Sequence, residues 1–249
     1  MNYNKLLLST FFFFFVWHLA SANNLIDSEL FPSPVFILSN TYTLLTNSEI
    51  LFHLFYSLKR LFIGFFIGWS LGVLMALISG ASNTISVILQ PFINFGYSLP
   101  KVALLPLILV VMGIGEASKI TLIATGVFFL VFISVYNELV LLLSNPIMNI
   151  SKVYSVQGFR FWYHIIFKGL ILSIVTGSKA AFGYGLVLVV VAEAQMTKQG
   201  IGYFLWQSWD QFQILNIYSS ILIIGFVGLV AGYMFDIVLS KLVSKFDLS

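Results

Sequence analysis

The chain has 249 residues, 59% of them hydrophobic and only 8% charged, with a mean hydropathy of +1.01; a soluble domain carries about 25% charged residues, so this composition is that of an integral membrane protein. Twelve basic residues outweigh nine acidic ones for a net charge of +3, but they are spread thinly along the chain and form no basic stripe, which excludes nucleic acid as a partner. Without cysteine there is no disulfide framework, thiolate nucleophile or thiolate metal site, and the three histidines, His18, His53 and His164, lack ligand spacing.

Apolar stretches long enough to cross a hydrocarbon core of about 30 Å as helices recur along the chain. In chain order they lie near 5–23, 60–80, 89–112, 118–143, 166–192 and 213–238. The expected fold class is all-α, a polytopic membrane protein with about six transmembrane helices. Leu, Ile, Val and Phe each contribute about −0.3 to −0.6 kcal/mol at the bilayer centre and one Lys costs about +3 kcal/mol, so a helix of this kind carries a single Lys.

The first segment, KLLLSTFFFFFVWHLASA (5–22), reads in two ways. It is a retained helix, or a cleavable secretory signal with a basic start, a short apolar run and an Ala-Ser-Ala ending. In either case residues 23 to about 56 emerge outside. With the N-terminus inside, the inner segments hold Lys5, Lys152, Arg160, Lys168, Lys241 and Lys245, and the outer ones Lys59, Arg60, Lys119 and Lys198. This bias points to both termini inside.

The third segment carries Pro100 and Pro106 within GYSLPKVALLPLILVVMGIGEASK (96–119). Internal prolines remove backbone hydrogen bonds and bend helices, so a structural kink and a bend that lines or gates a pathway both fit. Lys101 and Lys179 sit inside apolar runs, where a charge marks a candidate functional site facing the bundle interior. Lys101 follows the kink and can snorkel. Lys179, in TGSKAAFGYG (176–185), lies about ten residues into its helix, where snorkelling is harder; it is expected to face the interior, with contact to a solute left open. Gly169, Gly177, Gly183 and Gly185, interspersed with Ser178, Ala180 and Ala181, predict close helix packing.

Between the fourth and fifth segments, SNPIMNISKVYSVQGFRFWYHII (144–166) mixes Lys152 and Arg160 with Phe159, Phe161, Trp162 and Tyr163. That composition suits a short amphipathic helix lying on membrane lipid, or a docking element for a cytoplasmic partner. After the fifth segment, VAEAQMTKQGIGYFLW (191–206) ends the apolar run on Glu193 and a Gly200-Ile201-Gly202 turn. No G-x-x-x-x-G-K-[ST] loop, H-E-x-x-H, G-x-S-x-G or intramembrane carboxylate pair occurs, so the chain itself does not hydrolyse nucleotide, and no cofactor is expected.

Four stretches taken together resemble one family. LFPSPVFIL (30–38) is similar to an outer-loop opening of Leu-Pro-Ser-Pro and an apolar residue. SLKRLFIGFFIGWSLGVLMALISGAS (57–82) matches a Leu-x-Arg-x-x-x-Gly-x-x-x-Gly helix. LPKVALLPLILVVMGIGEASKI (99–120) matches a proline-rich helix with a Gly-x-Gly-Glu exit, and VAEAQMTKQGIGYFLWQ (191–207) matches an Ala-Glu exit followed by Gly-x-Gly-Tyr. Over residues 30 to 240 the chain resembles the permease subunits of bacterial ATP-binding-cassette importers, in the branch that takes up nitrate, sulfonates and taurine.

The resemblance implies a type I importer permease fold in the bacterial inner membrane. It divides the chain into an N-terminal helix or signal-like segment (1–23), an outer loop (24–55), a permease domain (56–240) with a cytoplasmic coupling loop at 144–168, and a tail (241–249). It implies two copies paired around a path, cytoplasmic ATPase subunits, and a periplasmic solute-binding protein. Lys152, Val153, Tyr154, Gly158, Phe159 and Arg160 fall in the coupling segment, although the family's Glu-Ala-Ala and its later proline are missing here. Pro100, Lys101, Pro106, Lys179 and Glu193 fall on the path or gate, and Gly113, Gly115, Gly200 and Gly202 on outer turns; for Glu193 a plain interfacial position, with Tyr203 and Trp206 as anchors, is the other reading. Lys101 and Lys179 favour an anion such as nitrate or a sulfonate, although the family commonly has basic residues at both places. A secondary transporter or channel would need inverted repeats or an ion-coupling site, and a membrane enzyme an intramembrane nucleophile or ligand cluster. The sequence displays neither.

Overall fold

The computed structural model describes residues 3–144, 166–194 and 197–246. Among these the chain forms nine α-helices and no strand: α1 (Tyr3–Ala22), α2 (Pro34–Thr46), α3 (Ser48–Ala81), α4 (Asn83–Ser98), α5 (Leu105–Met112), α6 (Glu116–Ser144), α7 (Lys168–Glu193), α8 (Ile201–Asp210) and α9 (Ile214–Phe246). Helices α3, α6, α7 and α9 are long and apolar enough to cross a membrane. The fold is an all-α polytopic membrane protein.

The third expected segment needs correction. It is not one kinked helix over 89–112: α4 ends at Ser98, a 3₁₀ turn covers Lys101–Leu104, and the two helical parts meet at 97°. The cause is local. Leu99 precedes Pro100, whose ring disfavours α geometry at the preceding residue, and Leu99 is extended at φ −69°, ψ 135°. Pro106 falls in the first turn of α5, where the missing N–H has no intrahelical partner to lose. Only as a broken pair do α4 and α5 make a fifth span. The apolar part of α1, Leu7–Ala22, is shorter than the roughly 20 residues a straight span needs. The stretch 24–55, expected as a loop, carries α2, opened by Pro34 in its first turn, and the start of α3.

The chain divides into two compact units. One comprises residues 1–57 and 193–226. Its core is built on Ile50, Ile201 and Ile223, with Leu44, Leu54, Phe204 and Ile224 packed around them. Polar contacts hold α2 to α9: the Asn40 amide donates to Asn216 Oδ1 at 2.9 Å and to Ser219 Oγ at 3.0 Å. The Tyr218 hydroxyl donates to the Leu30 carbonyl at 3.3 Å.

The other unit comprises residues 58–192 and 227–249, and its core centres on Leu122, Ile123, Val127, Val131, Val135 and Leu139 of α6, with Leu61, Phe65 and Leu188. Gly64, Gly68 and Gly72 form a smooth strip along α3. A methyl at Gly64 would lie 2.8 Å from the Ile123 side chain, one at Gly72 2.9 Å from the Phe128 carbonyl, and one at Gly68 would overlap the Ala124 carbonyl. Lipid gives helices little hydrophobic reason to associate, so this close backbone approach is the attraction that joins α3 to α6. The Trp69 indole donates to Ser178 Oγ at 2.8 Å and ties α3 to α7.

Candidate functional site

Four clusters of polar groups are set into this apolar framework, and together they hold most of the residues singled out from the sequence. The first surrounds Glu193, the last residue of α7, whose side chain is fully buried. Its Oε2 accepts from the Ser57 hydroxyl at 2.7 Å and from the Gly202 N–H at 2.9 Å. Ser57 Oγ in turn accepts from the Ile201 N–H at 2.8 Å, and the Gly200 N–H donates to Nδ1 of buried His53 at 3.1 Å. The first N–H groups of a helix lack intrahelical partners and its N-terminus favours negative charge, so Glu193, Ser57 and His53 together cap α8. Gly200 sits at φ +122°, ψ 153°, and a methyl there would overlap the Glu193 carboxylate. Glycine is required at this position on both counts.

The second cluster joins two motifs quoted from the sequence, Leu-x-Arg and Gly-x-Gly-Glu. Arg60, only 1% exposed, makes a two-pronged pair with Glu116: Nε to Oε2 and Nη2 to Oε1, both 2.7 Å. Buried Lys119 reaches Glu116 Oε1 at 3.3 Å. Bidentate guanidinium pairs are strong and orient both partners. Glu116 opens α6, where a carboxylate also meets the favourable end of the helix dipole. Gly113, at φ +76°, ends α5 and makes the turn into this pair, while Gly115 has open space around it.

The third is the break itself. Lys101 is 4% exposed, and its ammonium donates to the carbonyls of Gly96 at 2.7 Å, Tyr97 at 2.9 Å and Leu99 at 2.7 Å. It also lies 4.8 Å from the centre of the Phe129 ring. An ammonium has three donors, and all three are used on the last carbonyls of α4. Lys101 therefore caps the helix that Pro100 ends and does not snorkel.

The fourth is Lys179 on α7. Its ammonium pairs with Asp236 Oδ1 of α9 at 2.5 Å, and the two side chains are 43% and 56% exposed. Beside it, a cavity of about 370 Å³ is walled by Phe62, Phe66, Trp69, Phe182, Met234 and Phe235. Ser178, its polar group, is already engaged by Trp69.

Of the residues expected on a path or gate, Pro100, Lys101 and Pro106 come together at the break, while Lys179 and Glu193 belong to separate clusters. Lys152, Val153, Tyr154, Gly158, Phe159 and Arg160 lie outside the described residues. Sequence reading missed Asp236, although it is the single acidic residue of the last apolar segment, and it missed His53 and Ser57, whose roles exist only once α8 is in place. Among the described residues no three His, Asp or Glu side chains converge on a metal position.

These features stand beside a family comparison. The model of the family described as "binding-protein-dependent transport system inner membrane component" matches residues 68–247. The chain belongs to this family. As a member it is a multi-pass membrane permease, a transport component and not an enzyme. Three relatives illustrate the range. SsuC of Escherichia coli K12, named for aliphatic sulfonate transport, is 31% identical over 216 residues, covering 87% of this chain and 82% of its own. The nitrate import permease protein NrtB of Synechocystis is 25% identical over 230 residues, covering 86% of this chain and 80% of its own. The taurine transport system permease protein TauC of Escherichia coli K12 is 28% identical over 207 residues, covering 81% of this chain and 74% of its own.

Proposed function

We propose that this permease lines the path of an ATP-driven importer for a small oxyanion, of the nitrate or sulfonate class. Two copies pair around the path, a solute-binding protein delivers the anion outside, and ATPase subunits bind inside at the 144–168 loop. Both termini lie inside, which the distribution of Lys and Arg supports. Residues 56–240 act as the permease domain behind the 24–55 outer segment, with Lys152, Val153, Tyr154, Gly158, Phe159 and Arg160 in the coupling segment. Energy comes from the ATPase partner, and the permease supplies path and coupling.

The anion reading is carried by one observation: of Arg60, Lys101, Lys119 and Lys179, Lys179 alone is half-exposed, and it lies within an apolar span. An accessible cation at that depth is a site for negative charge. Glu193 acts differently in this account. Its carboxylate fixes the outer turn by capping α8, so it positions the gate-forming segment and does not itself meet the binding protein; Gly200 and Gly202 shape that turn, Gly113 and Gly115 shape the turn between α5 and α6, and Pro100, Lys101 and Pro106 set the bend between α4 and α5.

Uptake by intact cells tests the proposal. Deletion of the gene should abolish uptake of nitrate, ethanesulfonate or taurine, and re-expression should restore it. Unchanged uptake of all three would overturn the anion reading. Uptake that survives ATP depletion but collapses with the ion gradient would overturn the ATP-driven part.

A further inference from the structure

Asp236 was singled out by neither the sequence motifs nor the family resemblance, and its surroundings give it a role. Lys179 is the twelfth residue of α7, which starts at Lys168, and Asp236 lies ten residues before the end of α9 at Phe246. At about 1.5 Å per residue both stand roughly 15 Å along their helices from those ends, inside the apolar segments 166–192 and 213–238. They meet at 2.5 Å and yet remain 43% and 56% exposed. Two half-exposed charges within apolar segments are costly against lipid; intramembrane charges line a bundle interior or a water-filled passage.

Local packing holds the pair without burying it. One turn before Asp236, Gly232 lies beside the lysine stem: a methyl there would stand 3.7 Å from Lys179 Cε, in ordinary contact. A single Oδ1 contact, not a two-pronged one, ties the ammonium to α9. A carboxylate and a small oxyanion present the same chemistry to an ammonium, oxygen acceptors sharing a negative charge.

We propose that Asp236 is a tethered stand-in for the transported anion: it occupies Lys179 while the path is empty, and the entering oxyanion must displace it. This rests on the anion reading above and adds a specificity-determining residue to it. The competition keeps Lys179 neutralised between cycles and sets a threshold, so weakly coordinating anions fail to dislodge the carboxylate. It also tethers α7 to α9 in the empty state and releases them when the anion arrives.

The test is the concentration dependence of uptake in cells carrying each variant at the native locus with all partner subunits present, using nitrate, ethanesulfonate and taurine as probes and immunoblotting membrane levels. Asp236→Asn removes the competitor and is expected to lower KM about three- to fivefold, the scale of a partly exposed ion pair. Lys179→Ala leaves a bare carboxylate on the path and should cut uptake about tenfold or more, and Lys179→Ala/Asp236→Asn should recover about threefold or more of that loss. Asp236→Glu keeps the charge and serves as the insertion control. A purely structural ion pair would instead reduce Vmax or membrane level with KM unchanged. An unchanged KM in Asp236→Asn, or a double variant no better than Lys179→Ala, overturns the inference and leaves the anion reading intact. A wild-type strain that carries none of the three probes better than the deletion strain overturns the anion reading, and this inference with it.

Discussion

Replacing Gly200 by alanine should be among the most damaging single-methyl changes in the protein. The backbone there, φ +122° and ψ 153°, belongs to a region that costs a side-chain-bearing residue about 1–3 kcal/mol. The new methyl would overlap the carbon and both oxygens of the Glu193 carboxylate. Glu193 is fully buried and holds the Ser57 hydroxyl and the Gly202 N–H. Moving it breaks at least one charge-assisted hydrogen bond, worth about 1.5–3 kcal/mol. The sum is about 2.5–6 kcal/mol. Two other glycines calibrate the scale. Gly113 has a positive φ but no neighbour within 4 Å of where a methyl would sit, so alanine there meets only the backbone cost of about 1–3 kcal/mol. Gly183, within α7, has open space, and alanine there should stabilise by about 0.5–1 kcal/mol. Apparent Tm in detergent, read by size-exclusion recovery of a fluorescent fusion after heating, should follow the order Gly183→Ala, wild type, Gly113→Ala, Gly200→Ala, from highest to lowest. A Gly200→Ala protein as stable as Gly113→Ala would refute the capping role of Glu193.

Three further changes probe the other clusters. Lys101→Met strands the carbonyls of Gly96, Tyr97 and Leu99 and should cost about 2–4 kcal/mol of stability; the same variant should keep the KM for the transported anion, because no donor of Lys101 is left for a solute. Arg60→Lys loses one prong of the pair to Glu116 and should lower stability by about 1–2 kcal/mol, with Arg60→Ala lower still, both read as apparent Tm. Gly68→Ala pushes a methyl into the Ala124 carbonyl of α6 and should cost about 1–3 kcal/mol, whereas Gly225→Ala, inside α9 with open space, should stabilise by about 0.5–1 kcal/mol in the same assay.

The all-α membrane class was legible because an apolar run long enough to span lipid has few other uses. Motif order carried the family resemblance, and its Leu-x-Arg and Gly-x-Gly-Glu elements meet as the Arg60–Glu116 pair, a contact between residues 56 positions apart in sequence that no local pattern contains. The prolines announced a bend in the third segment, but its size depends on whether the freed carbonyls find a partner; Lys101 supplies one, which turns a kink into a 97° break. Glu193, at the end of an apolar run, read as a gate residue or as an interfacial one. Its burial follows from the return of the chain at α8, where Ser57 and the Gly202 N–H meet it. Asp236 lies two residues from the end of the last apolar segment, where no local pattern gives it a partner; only the packing of α7 on α9 supplies its lysine.

The central claim, a permease driven by a separate ATPase, is tested most directly by isolating the tagged permease from its native membrane in mild detergent and assaying the eluate for ATP hydrolysis. The account predicts a co-purifying ATPase that is lost when residues 150–165 are replaced by a Gly-Ser linker. A permease that purifies from native membrane without any nucleotide-hydrolysing partner would contradict it.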